Sequence, residues 1–183
     1  MRGIGHNSNR DPKGYGARLV AWRKARAGLV NRALPIEVIR KRVARAAELG
    51  LDYRAYASIR AATGRDVLAL LFSSNALRLL KEAHLPPDRA AKLKPLQAMR
   101  LVLAQGRLSP EMLTTLPEID AARLAPAFTM SWSAMSEHLR ADLKAFGQRG
   151  DATVIIGDTS FEAEWCTAAK AAGYLPAERY FSA

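Results

Sequence analysis

Two short runs share one layout, and that layout constrains the fold more than any other feature of the chain. Residues 67–72, Val-Leu-Ala-Leu-Leu-Phe, form the most apolar run and stop abruptly at Ser73-Ser74-Asn75. Residues 153–156, Thr-Val-Ile-Ile, follow Gly150 and stop at Gly157-Asp158-Thr159-Ser160. A continuous apolar run of this length, bounded by small polar residues, reads as a strand buried on both faces. The second run is β-branched throughout and is the clearer strand. The first is rich in Leu and Ala, so one helix over 67–81 with Asp66 as its cap is the competing reading. We expect a strand there, then a helix from about Ala76.

Helical patterns alternate with these runs. Pro35 opens a helix over 36–49 with Ile36, Ile39, Val43, Ala46 and Ala47 on one face, and Gly50 ends it. Asp52 caps a helix over 53–62, which Gly64 closes. Further helices are expected over 17–30, 88–93 and 95–105, after Ser109-Pro110, and over 161–172. Ser131 or Ser133 starts another that runs to Phe146, with Trp132, Met135, Leu139, Leu143 and Phe146 inward. Residues 116–130, with Pro117 and Pro126, read as a surface connection. Tyr180-Phe181 reads as a short edge strand or a docked terminus. The expected fold is a helix-rich α/β protein with a small, mainly parallel sheet and a basic N-terminal helical hairpin. Its parts are a flexible arm over 1–16, a basic helical region over 17–65 and a compact α/β region over 66–183.

Charge separates the same regions. The net charge is +11. Residues 1–65 hold 15 Lys and Arg against 4 Asp and Glu, whereas residues 66–183 hold 13 of each. A concentrated cationic region attracts polyanions. The first functional expectation is therefore a nucleic-acid-associated accessory or regulatory protein, with DNA preferred to RNA. The phosphate contacts would come from Arg18, Arg23, Lys24, Arg26, Arg40, Lys41, Arg42 and Arg45. Ala46, Gly50 and Ile59 stand at helix-turn-helix spacing, with Tyr56 where that pattern prefers a β-branched aliphatic residue. In such a motif Arg54, Ser58 and Arg60 would face a major groove. An ordinary helical hairpin gives the same spacing. An acidic protein surface is the alternative partner for an adaptor.

A second expectation follows from the two runs. If they are parallel neighbours, Ser73, Ser74, Asn75, Asp158, Thr159 and Ser160 meet at the carboxyl edge of the sheet. Open α/β sheets bind ligands there, and helix N-termini at that edge favour anions. The same residues are also good helix caps, a purely structural role. Gly157-Asp158-Thr159 followed by Ala171-Ala172-Gly173 is similar to the last motif of haloacid-dehalogenase-type phosphatases. The resemblance implies an upstream Asp-x-Asp whose first carboxylate is the nucleophile, and this chain has no Asp-x-Asp. The phosphatase activity is not carried over.

Other chemistries lack their residues. There is no Gly-x-x-x-x-Gly-Lys-Ser/Thr and no Gly-x-Ser-x-Gly. Three histidines and one cysteine lie without metal-ligand spacing. Cys166 reads as a buried helical residue. No cofactor, metal or catalytic residue is expected, nor a membrane partner, because no apolar run approaches the roughly 20 residues of a spanning helix. The lone cysteine and the polar opening residues fit a cytoplasmic protein.

Overall fold

The computed structural model describes residues 34–79 and 83–182. The expected arm over 1–16 and the helix over 17–30 lie outside the described residues. Seven α-helices and five strands follow in the order α1 (Ile36–Glu48), α2 (Tyr53–Thr63), β1 (Ala69–Ser73), α3 (Pro87–Leu93), β2 (Met99–Ala104), α4 (Pro110–Leu113), β3 (Ala121–Leu124), α5 (Trp132–Ala145), β4 (Thr153–Gly157), α6 (Ser160–Ala168), β5 (Gly173–Pro176) and α7 (Ala177–Phe181).

The two runs do form neighbouring parallel strands. Ala69, Leu70, Leu71 and Phe72 stand opposite Thr153, Val154, Ile155 and Ile156. Every strand pair is parallel and the strand order is β3-β2-β1-β4-β5. The chain winds outward from β1 through β2 to β3, then returns to the other side of β1 as β4. The direction of winding therefore reverses between β1 and β4.

Alternating side chains divide the core into two layers. Leu70, Phe72, Val102, Val154 and Ile156 pack with Leu49, Tyr56 and Ile59 of the hairpin, Leu93 of α3 and Tyr180 of α7. Leu71, Leu101, Leu103 and Ile155 point the other way, onto Met135, Leu139 and Leu143 of α5 and Trp165 of α6. Each such aliphatic side chain contributes about 1.5–3 kcal/mol by leaving water. All five residues of β1 and of β4 are buried. This is why neither run alternates with polar residues.

Several boundaries differ from the sequence expectation. Residues 99–104 form β2, not a helix. Met, Leu and Ala favour helix locally, but burial between β1 and β3 overrides that preference. β3 crosses the region expected to be a surface connection. β5 begins at Gly173, because α6 stops at Ala168 and Lys170 turns the chain with φ of 52°. After β1 the described residues make tight turns rather than a helix from Ala76. Leu77 N–H donates to Ser73 O and Leu79 N–H to Ser74 O. Trp132 is half exposed rather than inward. On α1 only Ala46 is buried, whereas Val43 and Ala47 face solvent. Tyr180-Phe181 is docked as part of α7, not an edge strand.

Candidate functional site

Of the six residues expected at this edge, Ser73, Asn75, Asp158 and Thr159 converge, and they do so around Glu162. Ser73 and Asn75 follow β1, and Asp158 and Thr159 follow β4. Thr159 is the N-cap of α6, with a capping box closed by Glu162. The Glu162 side chain turns back under the helix start into the sheet edge and is fully buried. Ser73 Oγ donates to Glu162 Oε2 at 2.8 Å and Asn75 Nδ2 to Oε1 at 2.8 Å. The backbone N–H groups of Asp158 and Thr159 also donate to Oε2. A carboxylate of the protein therefore holds the place where a ligand anion would meet this helix end.

The surrounding chain is shaped for that carboxylate. A Cβ added to Gly157 would stand 2.8 Å from Glu162 Cβ and 2.9 Å from Oε2. Ser73 accepts from Ala76 N–H at 3.0 Å while it donates to Glu162, so one hydroxyl orders the turn and the acid together. Ser74 is equally buried and serves β2, accepting from Gln105 N–H at 3.1 Å. Asp158, Thr159 and Ser160 are exposed. Ser73 and Ser74 are thus internal ties. Asn75 caps no described helix, and its amide is held by Glu162. The Thr-x-x-Glu spacing of residues 159–162 was the sequence signal that could have revealed Glu162.

The nucleophilic carboxylate that the phosphatase resemblance implies has no counterpart at the end of β1, the strand beside β4. β1 ends there in Ser73-Ser74-Asn75, which offers hydroxyls and an amide. The buried acid at this edge comes instead from α6, with its oxygens taken up by hydrogen bonds.

The basic residues divide into two groups. Arg45 donates to Asp66 Oδ2 at 3.1 Å, to Glu48 at 2.8 Å and to the carbonyls of Val67 and Gln97. Arg60 lies 3.4 Å from Asp66 Oδ1, which also accepts from Tyr56 Oη at 2.8 Å. Burial alone would raise the Asp66 pKa. The hydrogen bonds from Tyr56 and Val67 N–H and the Arg45 charge outweigh it and hold the carboxyl below its ordinary range. Arg45 and Arg60 thus join the hairpin to the start of β1. Lys41 and Arg54 are exposed and Arg42 is half-buried, and none of the three has a carboxylate partner among the described residues. Arg40 is exposed. Arg18, Arg23, Lys24 and Arg26 lie outside the described residues.

The helix-turn-helix spacing is occupied as follows. Gly50 takes the left-handed turn with φ of 62°, and Ala46, Tyr56 and Ile59 are buried. Arg54 and Ser58 line a groove of about 680 Å³ that α2 shares with Gly173, Tyr174 and Arg179. No cluster of His, Cys, Asp and Glu among the described residues could hold a metal ion, and no described helix is long and apolar enough to cross a membrane. Comparison with protein-family models, with curated proteins and with solved structures gave no match.

Proposed function

We propose that this protein associates with nucleic acid through phosphate contacts made by its basic first third. The observation that supports this reading is the uneven use of charge. Beyond residue 65 the carboxylates equal the cations in number. Many are used in pairs: Arg100 with Asp120, Arg123 with Asp142, and Asp151 with both Arg149 and Arg65. In the first third the few acids leave most cations over, and Lys41, Arg42 and Arg54 are the described members of that excess. Arg45 and Arg60 have structural partners and are not counted as phosphate contacts. The reading covers backbone contact with DNA or RNA, with α2 as the candidate for groove entry.

Anisotropy titration of a labelled DNA duplex and an RNA hairpin, at two salt concentrations, tests it. Binding should weaken steeply with salt, with a log–log slope of about 0.9 for each phosphate contact on duplex DNA. Replacing Lys41 or Arg42 by Ala should lower the slope by about one each and weaken binding alike on unrelated sequences, whereas Arg54→Ala on α2 should also relax any sequence preference. No binding at low salt rejects the reading. A partner that still co-purifies after nuclease treatment and lacks nucleic acid favours the acidic-protein alternative.

A further inference from the structure

A cleft of about 360 Å³ lies beside the carboxyl ends of β1 and β4, just outside the Glu162 cluster. It stands where the winding of the sheet reverses, the place where open α/β sheets hold ligands. Its volume suits a small molecule. Asn75 and Arg78 come to it from the turns after β1, Arg89 from α3, Asp158 from the loop after β4, and Glu178 and Phe181 from α7.

Arg89 is the unusual member. Its side chain is 6% exposed, and its guanidinium carbon sits 3.7 Å from the centre of the Phe181 ring. Nε and Nη1 are buried and have no hydrogen-bond acceptor among the described residues. The carboxylate of Asp88 comes only to 3.5 Å of Nε, beyond good hydrogen-bond distance. Buried polar groups in folded proteins are nearly always satisfied, so a guanidinium left this way calls for an explanation. Burial lowers its pKa, Asp88 and Asp158 oppose that, and the charge of Arg78 adds to it. Arg78 adopts a left-handed backbone with φ of 57°. A residue with a Cβ disfavours that conformation, and such strain gathers at ligand sites.

We propose that this cleft binds a small zwitterion carrying both a carboxylate and an ammonium group, an amino acid or a close relative. The mixture of charges selects that class. Arg78 and Arg89 favour an anion, and a planar carboxylate matches the guanidinium fork. Asp88, Asp158 and Glu178 share the cleft, so a phosphate dianion would meet three like charges. An ammonium group beside the carboxylate turns those acids into partners, with Asp158 the acceptor that follows β4. Glu162 holds the Asn75 amide in place at the edge. The residues are separate from those of the nucleic-acid reading, and either proposal can fail alone.

Calorimetry and thermal melting of the full chain with the common L-amino acids at millimolar concentration test the proposal. Each amino acid that binds is compared with its deaminated acid, its decarboxylated amine and inorganic phosphate. One or a few amino acids should bind and raise the melting temperature by mass action. Their single-charge analogues should bind at least about tenfold more weakly. Arg78→Asn, which suits a left-handed backbone, and Asp158→Asn should each weaken binding by about tenfold or more and leave the unliganded melting temperature nearly unchanged. Arg89→Lys should do the same, and the two exposed positions decide the matter if that variant does not fold. The proposal is overturned if no amino acid binds, if binding survives both Arg78→Asn and Asp158→Asn, or if phosphate or the deaminated acid binds as tightly.

Discussion

Two carboxylates mark the two ends of β1, and they are held by opposite means. At the entry, Asp66 is about a third exposed and is met by the cations Arg45 and Arg60 and by a phenol. At the exit, Glu162 is fully buried and is met by neutral donors alone: a hydroxyl, an amide and two backbone N–H groups. Long cationic side chains can reach a half-wet acid and keep part of their own hydration. In a dry corner a cation would add its own desolvation to that of the acid. Fixed dipoles from a helix end and a turn avoid that second penalty. The entry cluster should therefore respond to salt, and the exit cluster chiefly to the removal of a single atom or group.

The sharpest break is Glu162→Ala. It leaves one buried and three part-buried neutral donors without their acceptor, and at about 1–3 kcal/mol for a stranded buried donor we expect a loss of about 3 kcal/mol in all. Added formate should restore part of that stability in denaturant titrations of the variant and none in the parent chain. A loss below about 1 kcal/mol would mean the cluster carries little. Ser73→Ala comes next, at about 1.5–3 kcal/mol, because it removes a donor to a charged group and strands the Ala76 N–H. Thr159→Ala deletes the cap of α6 but leaves the Glu162 contacts to Ser73 and Asn75, so chemical denaturation should show about 1 kcal/mol. Asp66→Asn should have the smallest effect at neutral pH, about 1 kcal/mol or less for a partly exposed cluster. That effect should shrink as salt is added.

The entry carboxylate also has a pH signature. The folded Asp66 pKa lies below its ordinary value of 3.8. Its contribution is therefore complete above the unfolded value and is lost as pH falls through the folded one. Melting curves taken downward from pH 6 should show this loss in the parent chain and not in Asp66→Asn. Identical acid profiles for the two chains would remove Asp66 from the entry cluster's energetics.

The central pair of strands was legible because their residues carry unmistakable signals. Thr-Val-Ile-Ile is β-branched, and both runs end in small polar residues. The outer strands were not. Met99–Ala104 is built from helix formers, and only its position between two other strands makes it extended. Ala121–Leu124 and Gly173–Pro176 are four residues each, too short for a periodic pattern. At the candidate site, sequence placed Ser73, Asn75, Asp158 and Thr159 together, because sharing an edge follows from parallel pairing. It did not supply Glu162, whose role depends on a side chain folding back under its own helix. Nor did it supply Arg78 and Arg89, which reach the cleft from a turn and a short helix with no motif of their own.

The central position of β1 has a consequence for how the chain is made. Among the described strands it is the first to be synthesised and the most apolar, yet the partner along one of its edges, β4, arrives only after β2, β3 and α5. Until then the nascent chain carries an open strand edge with an oily surface beside it, the kind of surface to which other copies pair. Fast elongation, high expression or loss of a chaperone should therefore divert this protein into aggregates before it ever reaches its folded state. The vulnerable segment is residues 69–73.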